Sequence, residues 1–109
     1  MNGIPEKDWK LLRAMQEEKL AFVCDQILRR VEGIIQERNG KEHEAFLQVW
    51  SKIQEGNAEV ALMFDDIRRS NAILKLIAWR KNGLLNDEEL GLFSAPTQEV
   101  IARAGTSMR

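Results

Sequence analysis

Apolar residues recur at three- and four-residue steps along most of this chain, and nowhere do β-branched residues alternate with polar ones over a strand length. The pattern therefore predicts helices and no sheet. Pro5 suits the first turn of a helix, with Glu6 and Asp8 near the positive end of its dipole. Trp9 and Leu12 give that helix a short apolar face. The phase then slips, because Gln16 and Lys19 occupy the positions where the stripe should continue. A kink or break is expected between Met15 and Glu18. From Leu20 a regular stripe follows through Val23, Cys24, Ile27, Val31, Ile34 and Ile35, and Asn39-Gly40 supplies a left-handed stop.

A third helix carries Phe46, Trp50, Ile53, Val60 and Phe64. Its stripe keeps phase across Gly56-Asn57, which predicts one continuous helix. The fourth segment is apolar nearly all round. Between Ile67 and Trp79 its apolar side chains spread over roughly 240° of the circumference, leaving Arg68, Asn71 and Lys75 as a narrow polar edge. Such a helix is buried on several sides, either as the central element or against a second subunit. Asn82-Gly83 ends it, with Leu84 as the hydrophobic contact that follows a left-handed cap. Asn86 and Glu89 form a capping-box pair, and Leu85 and Leu90 occupy the staple positions. Ser94 is placed to cap a last short helix through Pro96 and Val100. The tail from Gly105 to Arg109 has little to bury and is expected to fray. The expected fold is all-α: a bundle of four main helices with short terminal ones and Ile67–Lys81 at the centre. Residues 1–104 form one domain and 105–109 the tail.

Composition narrows the functional classes. At 109 residues, a single domain burying roughly 65% of its unfolded surface is the natural reading. The net charge of −1 gives no global attraction to nucleic acid or anionic lipid. A single cysteine rules out an intramolecular disulfide framework and a multi-cysteine metal site. The N-terminus lacks a basic segment followed by an apolar run, and no apolar run approaches the ~20 residues of a membrane span. A cytoplasmic protein without membrane attachment is expected.

Residues able to carry chemistry are few. No glycine-rich phosphate loop is present. His43 is the only histidine and is expected to lie exposed in the first turn of the third helix. Cys24 lies on an apolar stripe and reads as a small buried hydrophobe. No catalytic, metal or cofactor residues are assigned. Three basic doublets, Arg29-Arg30, Arg68-Arg69 and Arg80-Lys81, would track phosphates if they converged. Each has acids nearby, however, and adjacent helical side chains point about 100° apart, which disfavours nucleic-acid binding. The three tryptophans each fall on an apolar stripe and are expected in core or interface packing.

The sharpest anomaly is Asp65-Asp66-x-Arg68-Arg69. If a helix starts at Asp66, both arginines sit in its first turn, opposing the dipole by up to about 1 kcal/mol each. Two readings follow. In one, Asp66 caps the helix, Arg69 is partly buried, and the arginines pair with Asp65, Asp66 or an acid on a neighbouring helix. In the other, Asp65, Asp66, Arg68, Arg69, Ser70 and Asn71 form an anion or partner site.

The run Asp65-Asp66-Ile67-Arg68-Arg69-Ser70-Asn71-Ala72, followed by Gly83-Leu84-Leu85 and Glu88-Glu89-Leu90, resembles a group of small uncharacterised bacterial helical proteins. The resemblance covers the C-terminal half and implies a bacterial cytosolic origin and a helical fold. It supplies no binding or catalytic residues. The expected role is a non-enzymatic interaction or regulatory module, working as a homodimer or with an unidentified protein partner. A nucleic-acid-binding regulator and a small-anion binder or enzyme with an inter-helix pocket at Arg68 and Arg69 are the alternatives.

Overall fold

A computed structural model describes residues 3–107. It contains five helices in the order α1 (Glu6–Gln36), α2 (Glu42–Phe64), α3 (Ala72–Lys81), α4 (Asp87–Leu90) and α5 (Ala95–Ser107). No strand occurs among the described residues. The all-α expectation holds. Gly105 lies within α5, which runs to Ser107, and Met108-Arg109 fall outside the described residues.

The expected break between Met15 and Glu18 is absent, and the first two predicted helices are one 31-residue helix. No proline or glycine interrupts it before Gly33, and the residues across the phase slip are good helix formers. The slip marks a change of partner instead. Asp8 and Leu12 are buried in the N-terminal half, whereas Val23, Ile27 and Val31 are buried further along, where α1 packs against α2. Lys19, the residue that spoils the stripe, reaches Glu89 of α4 at 2.5 Å with its side chain largely covered. That hydrogen bond, with a further one from the Asn86 backbone, holds the Glu89 carboxyl below its ordinary range.

Helix α2 is continuous across Gly56-Asn57 and runs back along α1. Gly56 is required there by close approach: a Cβ would stand 2.6 Å from Ile27 Cδ1. Small residues such as Ala45 and Gly56 let the two helices meet closely. The α1–α2 turn contains Gly40 at φ 80°, four residues beyond the end of α1, so this left-handed glycine shapes the loop and does not cap the helix directly.

The segment between α2 and α3 corrects the sequence reading. Helix α3 begins at Ala72, so Asp65–Asn71 is a loop and the central helix is shorter than Ile67–Lys81. It nevertheless packs against α1, α2 and α5. Its side chains also satisfy the carbonyls left open at the C-terminus of α2. Lys75 Nζ donates to Leu62 O at 2.8 Å and Trp79 Nε1 donates to Met63 O at 3.0 Å. The Phe64 and Trp79 rings lie 5.5 Å apart. Around them Leu12, Met63, Leu76, Leu85, Phe93 and Ile101 complete a closed core.

Local signals work well at the end of α3. Leu84 N–H donates to Trp79 O at 2.9 Å and Gly83 N–H to Arg80 O at 3.2 Å, with Gly83 at φ 76°. These are the two bonds of a Schellman stop, and Leu84 is buried behind it. Asn86 and Glu89 form the full capping box at the start of α4.

The molecule measures 56 × 27 × 23 Å, and its radius of gyration is 16.9 Å. A compact chain of this length has about 13 Å. The excess comes from an arm: the C-terminal part of α1 and the N-terminal part of α2 project as a two-helix hairpin beyond the region gathered by α3, α4 and α5.

Candidate interaction surface

The loop Asp65–Asn71 is an organised turn. Asp66 adopts φ 55°, a left-handed conformation that aspartate tolerates better than most residues. Asn71 clasps the turn from both sides: its Oδ1 accepts from Arg68 N–H at 2.8 Å, and its Nδ2 donates to Asp66 O at 2.8 Å. The Asn71 side chain is thereby used on the loop and makes no cap bond to α3. Arg68 pairs with Asp66 through Nε at 3.0 Å and through a second, shorter contact, and this hydrogen bonding lowers the Asp66 pKa.

Arg69 crosses to α1, with 2.8 Å between Nη1 and Glu6 Oε1, and lies 5.5 Å from the centre of the Trp9 ring. The arginines thus pair with Asp66 and with an acid on another helix, as the first reading expected. Two parts of that reading fail. Asp66 does not cap a helix, and Arg69 is exposed, not partly buried. Asp65 and Ser70 are also exposed. The dipole conflict disappears because the arginines precede the helix.

The basic doublets do not converge as unpaired charge. Arg29 pairs with Asp25 at 2.7 Å, Arg30 with Glu59 at 3.7 Å, and Arg80 with Asp87 at 2.5 Å and with Leu85 O at 2.6 Å. Lys81 is exposed at the end of α3. Among the described residues no group of three or more histidine, cysteine, aspartate or glutamate side chains is placed to hold a metal ion. No helix there is long and apolar enough to cross a membrane. His43 is exposed in the first turn of α2, as expected.

One buried polar cluster escaped the sequence reading. Asp8, expected to serve the start of its own helix, is fully enclosed and serves α5 instead. Its carboxylate accepts from Ser94 N–H at 2.9 Å, Ser94 Oγ at 2.6 Å and Thr97 Oγ1 at 2.6 Å. Burial pushes the Asp8 pKa up, but the hydrogen bonds from Ser94 and Thr97 outweigh it and the net shift is downward. The carboxylate also faces the positive end of the α5 dipole. The only local hint was that Asp8 stands one turn before Leu12 on the face that enters the core. Its partners lie at the far end of the chain. Every donor and acceptor here is used within the fold, so the cluster is a joint between α1 and α5.

The arm is different. On α1, Cys24, Leu28 and Ile35 fall to one side of the Val23–Ile27–Val31 contact line. On α2, Phe46, Trp50, Ile53 and Asn57 fall to one side of the Ala45–Gly56–Met63 line. These two sides meet in a single groove of about 820 Å³, lined by Cys24, Leu28, Trp50, Ile53, Gly56 and Ala61 among others. Cys24 is half-buried on its wall, not enclosed. Trp50 is 61% exposed and Phe46 68%. Of the three tryptophans placed on apolar stripes, Trp79 is core and Trp9 is half-buried beside Arg13 and Arg69, but Trp50 has no core to enter. The opposite side of the arm carries the polar and charged residues Arg30, Glu37, Lys41, Glu44, Gln48 and Glu59 beside Ile34 and Ala45, and Phe22 is exposed next to Arg30 and Glu59.

No family model, curated protein or solved structure matches this chain.

Proposed function

We propose that this chain is a non-enzymatic protein-interaction module whose working surface is the apolar side of the α1–α2 arm. The observation that carries the reading is the exposure of Trp50, Leu28 and Ile53 around one groove, with Phe46 exposed one turn before Trp50 on the same side of α2. Large apolar side chains scattered singly over a surface are ordinary, but a contiguous patch beside a groove marks a place where another molecule binds. Tryptophan and phenylalanine are enriched at such sites. Both partners expected from the sequence, a second copy or an unidentified protein, would meet the chain here. A cytoplasmic setting belongs to the same reading, since a free thiol persists in a reducing compartment. So does the bacterial origin that the resemblance implies.

A photoreactive phenylalanine analogue tests the surface when introduced at Phe46 on the apolar side or at Glu55 on the polar side. Illumination in cells should give protein adducts from position 46 and few from position 55. Equal labelling from both positions, or none from position 46, would reject the reading.

A further inference from the structure

We infer that the arm's occupant is a second copy of this chain, docked antiparallel about a two-fold axis at Ile53 so that two arms close into a four-helix bundle. The inference rests on the arm being an interaction surface and adds the partner and its register.

Area is the first argument. Phe46, Trp50, Leu28, Ile53 and Ile35 are between 41% and 68% exposed. With aromatic side chains presenting roughly 150–250 Å² each and aliphatic ones somewhat less, the face leaves on the order of 500 Å² of apolar surface in water. A stable interface of standard size takes about 800 Å² from each partner, a little more than half of it apolar. The face supplies the apolar share of that requirement. Symmetric pairing through one self-complementary patch is also the commonest way soluble chains associate.

Relief is the second. The projections and the recess on α2 lie on opposite sides of Ile53. Phe46 and Trp50 precede it, while Gly56, Asn57, Val60 and Ala61 follow it and line the groove. In an antiparallel pair centred on Ile53, residues at equal displacement face each other. Trp50 of one copy then lies over Gly56-Asn57 of the other, and Phe46 lies over Val60. Trp50 then meets a small-residue stretch, and Phe46 meets Val60 beside Ala61, a relief that lets helices interdigitate. Charge is the third. The α2 wall of the groove carries Gln54, Asn57, Ala58 and Ala61, none of them charged, so it has no feature to select an acidic or basic partner. On α1 the neighbouring Arg29 is already paired with Asp25.

The test places single cysteines in a Cys24→Ala background under mild oxidation, alongside light scattering of the unaltered chain. Scattering should give about 25 kDa, twice the 12.5 kDa chain mass. Ile53→Cys, on the axis, should form a disulfide-linked dimer. Phe46→Cys should not, because its mate stands roughly 20 Å away along the bundle. Trp50→Ala should weaken self-association about 30-fold or more while leaving the helical circular dichroism unchanged. A monomer at 100 micromolar overturns the second-copy inference but leaves the interaction surface to the photocrosslinking test. A dimer that crosslinks through position 46 and not 53, or that ignores Trp50→Ala, overturns the antiparallel docking.

Discussion

Trp79 and Trp50 sit on amphipathic helices of the same chain, yet one is sealed and the other is 61% exposed. Trp79 has α1, α2 and α5 around its helix, a carbonyl for its indole N–H and Phe64 against its ring. Trp50 belongs to a two-helix hairpin, and among the described residues no third element lies over it. Two helices share one contact line, and whatever apolar surface lies beside that line stays in water unless another layer arrives. Helix α1 takes part in both regions, so the contrast owes nothing to helix quality. It follows from how many neighbours each stretch has.

The widest contrast should appear on truncating the two tryptophans. Trp79→Ala should cost about 4 kcal/mol of unfolding free energy, because it opens a core cavity and strands Met63 O. Trp50→Ala should cost less than about 0.5 kcal/mol in dilute solution, where the arm has no partner. Urea denaturation of both variants at the same low concentration makes the comparison, and equal losses would show that the arm is part of the core.

Asp8 is next. Asp8→Ala should lose about 3 kcal/mol, since Ser94 and Thr97 would keep buried donors without their acceptor. Its folded pKa is depressed, so its ionisation adds stability that is complete above the unfolded carboxyl's value of about 3.9 and is lost as pH falls through the lower folded value. Thermal unfolding between pH 5 and 2 should therefore fall more steeply in the parent protein than in Asp8→Asn.

Gly56→Ala should destabilise by about 2 kcal/mol, because the added methyl meets Ile27, and Ile27→Val should recover part of the loss. A full-strength Gly56→Ala protein would mean that the arm's helices can spread without cost. Asn86→Ala should cost about 1 kcal/mol through loss of the capping box, read as a small drop in melting temperature. Arg68→Ala should leave the melting temperature unchanged within error, since its pair with Asp66 is solvent-exposed.

The parts legible from the sequence were those governed by neighbours in the chain. The Gly83–Leu84 stop, the Asn86–Glu89 capping box and the continuity of α2 each depend on residues a few positions apart. The phase slip at Gln16 and Lys19 was seen but misread, because a helix that changes packing partner carries the same signature as a helix that breaks. The Asp65–Asn71 segment was misread for a related reason. Its apolar Ile67 fits a helical stripe, and only the clasp of Asn71 around Asp66 and Arg68 shows that the chain turns there first.

By itself the sequence determined the helical class, the absence of strand patterning and the capped turn after α3, because backbone propensity and local hydrogen bonds act over one or two turns. It marked Phe46, Trp50 and Ile53 as one apolar stripe but held no information on what covers it. Only the tertiary structure decided that Asp8 would bond Ser94 and Thr97 at the other end of the chain, that Lys19 would meet Glu89, and that the Trp50 face would stay open. Those outcomes depend on which helices reach which surface, and distances between residues far apart in the chain are set only when the whole fold closes.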